Sequence, residues 1–264
     1  MSNDFVIAIA SGKGGVDKST IAANLTAWLS MQNKKVGLLD IDIHGPSIPK
    51  LLNLEHKGIR AERDKIKAIC DSDTLKIMSI GLLLLNKTNA VMWRGPMKRT
   101  LIKQFVTDVC WRQLDYLVVD CPPGTGDEPL SIVQLLENAD GAIIVTTPQQ
   151  IAVIDVKKCI TFCKKLNLAV LGIIENMSGL ICPHCQNKID IFKSGGGKQM
   201  AKEFNEPFLG SIPIDADMVS SCDLGQAFIY SNSQSPAAQA LISAFKPLLQ
   251  HPEQIEIKKE VKVK

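Results

Sequence analysis

The chain lacks the long apolar runs that cross a bilayer or direct export. A membrane-spanning helix needs about 20 predominantly apolar residues, whereas the longest apolar runs in these 264 residues, such as 80–85, have the length of buried core segments. The short run Phe5–Ala10 follows Asp4 rather than a basic region, and it leads into glycines instead of a cleavage site. We therefore expect a soluble protein with no secretory signal and no membrane partner.

The sequence also has little excess of either charge. Its 30 basic and 27 acidic residues give a formal net charge of +3, which is too small to predict a nucleic-acid partner. With 45% hydrophobic and 22% charged residues, the composition is globular and argues against a disordered or coiled-coil chain. Eight cysteines without an export signal predict a reducing, cytoplasmic location, where thiols serve in packing, metal binding or redox chemistry.

Internal repeats and a Gly/Ser-rich linker are absent from the sequence as well. Their absence predicts a single domain, which we assign to residues 1–250. From residue 251 to residue 264 the sequence becomes charged and loses helical periodicity. This change predicts a disordered tail after the domain.

Short runs rich in Val, Ile and Leu alternate along the chain with longer helical stretches. The predicted strands are Phe5–Ala10, 36–39, 116–119, 142–146 and 170–174. The predicted helices are 19–31, 97–110, 128–137, 151–166 and 197–204. The alternation predicts an α/β fold with a mostly parallel central sheet and helices on both faces. In such a fold, ligands bind at the carboxyl ends of the strands.

A glycine-rich loop, Ser11-Gly-Lys-Gly-Gly-Val-Asp-Lys-Ser-Thr20, lies between the first strand and the first helix. This is the context of a P-loop, whose backbone N–H groups and helix N-terminus hold a phosphate chain. Lys18 would reach the β- and γ-phosphates, Ser19 would bind Mg²⁺, and Thr20 would hydrogen-bond the α-phosphate. The predicted nucleotide-binding residues of the loop are Gly12, Lys13, Gly14, Gly15, Val16, Asp17, Lys18, Ser19 and Thr20.

One residue of this loop departs from the P-loop pattern. Asp17 stands where G-x-x-x-x-G-K-[ST] has its last glycine. A carboxylate there adds like-charge repulsion beside the β-phosphate, and its side chain obstructs the close approach of the backbone. Two interpretations stay open: Asp17 points to solvent and only weakens affinity, or the chain is deficient in nucleotide binding. The hypothesis that we test is an ATPase whose turnover is impaired.

The additional Lys13 changes the loop to K-G-G-x-x-K-[ST]. With this signature the chain resembles the deviant Walker A ATPases, which include MinD, ParA, the nitrogenase iron protein and the Mrp/ApbC proteins. The resemblance implies a homodimer that sandwiches ATP, with Lys13 neutralising transition-state charge on the partner's nucleotide. It also implies that Asn176 hydrogen-bonds the adenine edge, since an amide both donates and accepts, and that Pro213 forms an apolar wall beside the base.

Carboxylates stand at the ends of two predicted strands. Asp40 and Asp42 follow the second strand, and we expect them to point the same way because strand side chains alternate. Asp42 resembles the family's switch I aspartate, which orients water, and Asp120 occupies the Walker B position. Gly124, in the Gly-Thr-Gly that follows, fits a switch that senses the γ-phosphate. The predicted magnesium shell is Ser19, Asp40, Asp42 and Asp120, and the predicted catalytic residues are Lys13, Lys18 and Asp42.

A cysteine pair, Cys182-Pro-His-Cys185, separates this chain from most P-loop ATPases. A C-x-x-C turn brings two thiolates onto one metal. A four-ligand zinc or iron–sulfur site needs two more ligands, and a two-fold homodimer would supply Cys182 and Cys185 from both chains. The motif by itself leaves a structural zinc turn and a redox dithiol open.

Further segments resemble the Mrp/ApbC branch of the superfamily. They are Asp42-Ile-His-Gly-Pro-Ser-Ile-Pro49, Trp93-Arg-Gly-Pro-Met97, Pro122-Pro-Gly-Thr-Gly-Asp127, Glu175-Asn-Met-Ser178 and Gly195-Gly-Gly-Lys198. The resemblance implies an ATP-dependent carrier that holds a bridging [4Fe-4S] cluster on a dimer and passes it to apo iron–sulfur proteins. The expected cofactors are ATP, Mg²⁺ and the cluster. The alternatives are a MinD/ParA-like positioning ATPase and a nucleotide-impaired, zinc-binding interaction module.

Overall fold

A computed structural model describes most of the chain. The described residues are 5–62, 65–84, 100, 102–105, 107–126, 129, 132, 134–136, 139–182 and 184–250. Three parts of the sequence interpretation lie outside them: the predicted tail at 251–264, the segment 93–97, and the single residues Asp127 and Pro183 of two motifs.

Thirteen strands and eight helices have defined bounds within the described residues. The strands are β1 (Phe5–Ala10), β2 (Val36–Asp40), β3 (Arg60–Glu62), β4 (Lys65–Lys67), β5 (Ile69–Cys70), β6 (Leu75–Ser79), β7 (Val109–Cys110), β8 (Tyr116–Asp120), β9 (Gly141–Thr146), β10 (Val170–Glu175), β11 (Leu180–Ile181), β12 (Lys188–Ile189) and β13 (Phe208–Ser211). The helices are α1 (Lys18–Met31), α2 (Ile48–Leu51), α3 (Gly81–Leu84), α4 (Gln150–Lys165), α5 (Gly196–Phe204), α6 (Ala216–Asp223), α7 (Phe228–Ser231) and α8 (Pro236–Gln250). Further helical residues lie at 102–105 and 134–135.

The centre of the fold is an eight-stranded sheet in the order β13-β10-β9-β1-β8-β2-β6-β5. Its strands pair in parallel, except that β5 at one edge runs antiparallel to β6. Two small sheets, β3-β4-β7 and the hairpin β11-β12, stand apart from it. The predicted α/β class with a mostly parallel sheet is confirmed.

The alternation of side chains along β1 divides the core into two layers. Ile7 and Ile9 pack in a cluster with Leu25 of α1 and Phe245 of α8, whereas Ala8 packs in a second cluster on the other face of the sheet. Both layers are apolar, so both faces of the central strands are buried. Their sequences are therefore continuous apolar runs rather than alternating apolar and polar residues. The helix α4 contributes Cys163 to the second cluster, so helices pack on both faces of the sheet as predicted.

Parts of the secondary structure differ from the sequence prediction. The strands β6 and β13 were not among those predicted, and the predicted helix 97–110 does not extend to its last residues. Val109 and Cys110 instead form β7, which pairs in parallel with Ile66 and Lys67 of β4. A tertiary pairing outweighs local helix propensity here. Among the helices that the structure describes, none has the length and apolar character needed to cross a membrane.

Candidate functional site

The phosphate loop connects β1 to α1 at the carboxyl edge of the sheet. The loop residues Lys13, Gly14 and Gly15 are exposed, and Val16 beneath them is buried. Gly12 has to be glycine, because a Cβ there would collide with the backbone carbonyl of Asp155 in α4. The predicted loop is therefore packed against the fold at its base and open to a ligand at its tip.

Lys18 and Asp120 form a buried ion pair beneath the loop. The Lys18 ammonium donates a hydrogen bond to Asp120 Oδ1. Burial lowers the pKa of Lys18, but the charge of Asp120 and the hydrogen bond to it raise that pKa, and the net shift is upward. Asp120 Oδ2 is buried and has no hydrogen-bond partner in the described part of the chain. An unpartnered, buried carboxylate oxygen fits a hard cation such as Mg²⁺.

Asp40 lies beside Asp120, because β2 and β8 pair the two residues in register. Asp40 accepts hydrogen bonds from Ser79 Oγ at 2.7 Å and from the backbone N–H of Asp42 at 3.1 Å. Burial and the neighbouring charge of Asp120 raise the pKa of Asp40 to about 7. Burial also raises the pKa of Asp120, whereas the charge of Lys18 and the hydrogen bond from it oppose that shift. A divalent cation would relieve this repulsion between two buried carboxylates.

Asp42 lies beyond the strand, which ends at Asp40. Its Oδ1 accepts hydrogen bonds from the backbone N–H groups of His44, at 3.1 Å, and Gly45, at 3.2 Å. The expectation that Asp40 and Asp42 point the same way was based on strand alternation, and that argument does not extend past the end of β2. The role of Asp42 beside an attacking water stays a prediction.

Asp17 has a left-handed backbone, with φ 62° and ψ 41°, immediately before α1. Glycine is favoured in this conformation, as in the P-loop pattern, although Asp tolerates it better than most residues. Asp17 Oδ1 accepts a hydrogen bond from the Thr20 hydroxyl at 2.5 Å. Burial raises the pKa of Asp17, and this hydrogen bond opposes the shift. The hydroxyl predicted to bind the α-phosphate is therefore bound to a carboxylate of the same loop.

Gly124 and Asn176 both contact the backbone of the phosphate loop. The N–H of Gly124, which has φ +101°, donates to the carbonyl of Ser11 at 2.8 Å. Asn176 is buried, and its Nδ2 donates to the carbonyl of Val16 at 3.1 Å. Pro213 follows β13 and is half-buried at the same edge of the sheet. The γ-phosphate and adenine roles of these residues stay predictions.

The cysteine pair lies in the turn of the antiparallel hairpin β11-β12. The backbone N–H of Cys182 donates to the carbonyl of Asn187 at 3.0 Å. The backbone N–H groups of Cys185 and His184 donate to the Cys182 sulfur and lower the pKa of that thiol. Cys182 is half-buried and Cys185 is exposed. This turn stabilises a thiolate beside a second accessible thiol, which suits a metal at the protein surface.

A single chain offers two ligands at this turn. Within the ranges that the structure describes, no group of three or more His, Cys, Asp or Glu side chains has the arrangement to hold a metal ion. A structural zinc site is almost always closed by four protein ligands. The geometry therefore leaves the turn incomplete as a four-ligand site.

Glu175, at the end of β10, is a site residue that the sequence interpretation quoted only as part of a motif. It is fully buried, and its carboxylate accepts hydrogen bonds from Ser178 Oγ at 2.6 Å and from the N–H groups of Gly195, at 3.0 Å, and Gly197, at 2.6 Å. The sequence shows a glutamate at the end of a buried strand and, about 20 residues later, a glycine triplet. Each feature can be recognised from the sequence, but no local pattern indicates that Glu175 contacts the glycines.

Comparison with known sequences finds relatives over most of the chain. Residues 3–249 match the family described as ParA: NUBPL iron-transfer P-loop NTPase. The chain is 48% identical over 242 residues to the cytosolic Fe-S cluster assembly factor NUBP2 homolog of Nematostella vectensis, covering 90% of each chain. It is 52% identical over 219 residues to the iron-sulfur cluster carrier protein of Methanocaldococcus jannaschii, covering 83% of this chain and 76% of the other.

Two solved structures show the same fold. The nucleotide-binding protein of Archaeoglobus fulgidus, in complex with ADP, is 38% identical with a TM-score of 0.76, covering 89% of this chain and 90% of its own. The septum site-determining protein MinD of Pyrococcus horikoshii, complexed with Mg-ADP, is 22% identical with a TM-score of 0.72, covering 96% and 98%. At that identity the second likeness concerns the fold alone. The family predicted from the loop and cysteine motifs is confirmed: the chain belongs to the NUBPL iron-transfer P-loop NTPases.

Proposed function

We propose that this protein is an ATP-dependent iron–sulfur cluster carrier that holds a [4Fe-4S] cluster across a homodimer and transfers it to apo-proteins. The observation that carries the proposal is the hairpin turn, in which two backbone N–H groups stabilise the Cys182 thiolate beside the exposed Cys185. The names of the relatives, a cytosolic cluster assembly factor and a cluster carrier protein, support this cargo and a cytosolic location.

The second half of the ligand set would come from a second copy of the chain. Iron–sulfur clusters of the [4Fe-4S] type are held by four thiolates, and two-fold symmetry would present the pair twice. Around the turn, Ile189 and Ile191 are each 49% exposed and Phe192 is 38% exposed. Large apolar side chains grouped on a surface are typical of an interface, so they support the dimer.

The phosphate loop would bind ATP, and Ser19, Asp40, Asp42 and Asp120 would hold the magnesium ion. When bound, Mg²⁺ neutralises phosphate charge while ATP and water give ADP and phosphate. Lys18 would exchange its pairing with Asp120 for the β- and γ-phosphates, leaving both Asp120 oxygens available to the magnesium shell. Lys13 is exposed at the loop tip, where it would reach the nucleotide of the other copy.

Anaerobic reconstitution with iron and sulfide tests the cargo. We expect a brown dimer with about four irons, the content of one shared cluster, and loss of that iron in Cys182→Ala and in Cys185→Ala. Cys70→Ala is the matched control, because Cys70 is also exposed but lies in β5 rather than in the hairpin. Full iron content in the Cys182→Ala protein would contradict the proposal.

A zinc-binding interaction module with impaired nucleotide binding is the second candidate, and the contact between Asp17 and Thr20 favours it. The same reconstitution separates the two functions. A colourless protein that takes up zinc through Cys182 and Cys185 and does not bind ATP would establish this module instead.

A further inference from the structure

We infer that Glu175 is a positioning residue that couples the cysteine hairpin to the phosphate loop, so that nucleotide binding changes the environment of the cysteine pair. The last step of this inference, the response to nucleotide, rests on the proposed function. The structural step, that one carboxylate holds the base of the hairpin, stands on contacts within the chain.

The carboxylate of Glu175 joins both ends of the segment that carries the cysteines. This segment, residues 178–197, follows β10, includes the hairpin β11-β12, and ends in the first turn of α5. Ser178 Oγ, at the start of the segment, donates to Glu175 Oε1 at 2.6 Å. Gly195 and Gly197, at its end, donate through their N–H groups to Oε1 at 3.0 Å and Oε2 at 2.6 Å. The side chain of Glu175 therefore holds the two ends of this segment together.

The donors around Glu175 favour a charged acceptor. Four uncharged donors surround the carboxylate, since Ser211 Oγ adds a longer contact at 3.4 Å. Two of the donors are free N–H groups at the N-terminus of α5, where the helix dipole favours negative charge. A Cβ on Gly197 would lie 3.1 Å from Glu175 Cβ and 3.3 Å from its Oε2, so the glycine permits this approach.

The residue next to Glu175 holds the phosphate loop. Asn176 Nδ2 donates to the carbonyl of Val16 at 3.1 Å, and the backbone N–H of Asn176 donates to the carbonyl of Thr146 at 2.7 Å. Neighbouring backbone bonds keep the two residues in a fixed relation, because the N–H of Ile212 donates to the carbonyl of Glu175 at 2.8 Å. A shift of Val16 when phosphates enter the loop would therefore move Asn176, and with it Glu175 and both ends of the cysteine segment.

The first test asks whether Glu175 holds the segment, without nucleotide or iron. In Glu175→Gln the side chain keeps its size, but its amide nitrogen cannot accept the N–H of Gly197 or Gly195. We expect faster amide hydrogen exchange in residues 178–197 of this variant, and of Gly197→Ala, with unchanged exchange in the strands of the main sheet. Ser211→Ala is the matched control, because Ser211 binds the same carboxylate from outside the segment. Unchanged exchange in both variants would overturn the inference.

The second test measures coupling through the alkylation rates of Cys182 and Cys185, read by peptide mass spectrometry with and without a non-hydrolysable ATP analogue and Mg²⁺. We expect the analogue to change these rates in the wild-type chain and in Ser211→Ala, and the change to be lost in Glu175→Gln. Nucleotide affinity, titrated in the same samples, sets the analogue concentration so that the rates are compared in chains that are saturated with it. The Asp17→Gly chain is run in parallel, so that weak affinity does not hide the response.

Several results would overturn the coupling. They are an undiminished response in Glu175→Gln, no response in chains that bind the analogue, or no binding even in Asp17→Gly. Failure of the cluster proposal is recognised separately, because neither readout uses iron. A chain that couples nucleotide to thiol reactivity, yet takes up no cluster, would keep Glu175 in this role and remove the proposed cargo.

Discussion

Asp17 is unfavourable in the phosphate loop for two structural reasons. Its left-handed backbone is one that glycine adopts without cost, and its carboxylate occupies the Thr20 hydroxyl that a phosphate would otherwise use. The like charge of a nucleotide adds repulsion to both effects. The captured hydroxyl and the charge act against binding and can be separated by substitution, whereas the backbone strain destabilises the loop itself and is relieved only by glycine.

Nucleotide affinity should therefore rise from the wild-type chain to Asp17→Asn and again to Asp17→Gly. The asparagine removes the charge but keeps the strain and an acceptor for Thr20, and the glycine removes all three. We expect a gain of about tenfold or more for the glycine variant, equivalent to about 1.4 kcal/mol. Isothermal titration calorimetry with ATP in the presence of Mg²⁺ measures the affinity of the three chains. Equal affinities of wild type and Asp17→Gly would show that Asp17 does not obstruct the site.

Single residues of the site were predictable from the sequence where they directly follow a recognisable strand. The phosphate loop and Asp120 follow buried strands directly, so their position at the carboxyl edge could be inferred from the strand pattern and glycine spacing. The contacts of Glu175 could not, because its partners at Gly195 and Gly197 lie 20 and 22 residues away. The hydrogen bond of Asn176 to Val16 spans 160 residues, and no periodicity encodes it.

At the scale of elements, strands buried on both faces were the ones that the sequence revealed. β1, β2 and β9 are continuous apolar runs, and each lies in the middle of the sheet. The missed strands lie nearer the edges: β6 carries a partly exposed lysine, Lys76, and β13 has half-buried residues and a glycine. Edge strands bury less apolar surface, so their pattern is weaker.

The cysteine hairpin depends on Gly179, which precedes β11 with φ +80°. A Cβ there would lie 3.1 Å from the backbone oxygen of Ile189, on top of the cost of a left-handed conformation, about 1–2 kcal/mol. We expect Gly179→Ala to lower the iron bound after reconstitution and to leave nucleotide affinity unchanged. Gly58→Ala is the control, because its added Cβ meets open space. Full iron content in Gly179→Ala would show that the hairpin tolerates the distortion.

In the whole molecule the two sites use different parts of the sheet. The phosphate loop and the carboxylates proposed to hold magnesium lie at the ends of the adjacent strands β1, β8 and β2, whereas the cysteine segment follows β10, two strands away from β1. The residues 175 and 176 at the end of β10 contact both sites. One chain therefore carries a whole phosphate loop, whereas the proposed four-thiolate cluster would need a second pair of cysteines.

The origin of those ligands can be measured by mixing chains. Wild-type protein is combined before reconstitution with a Cys182→Ala, Cys185→Ala double variant at constant total concentration. If two copies share one cluster and associate at random, equal amounts give about one quarter of the iron of the pure wild type, because only the wild-type pairs are complete. If each chain closes its own site, iron falls in direct proportion to the wild-type fraction, to about one half. The quadratic dependence would establish the shared site, and the linear one would exclude it; Cys70→Ala in place of the double variant should leave the iron unchanged.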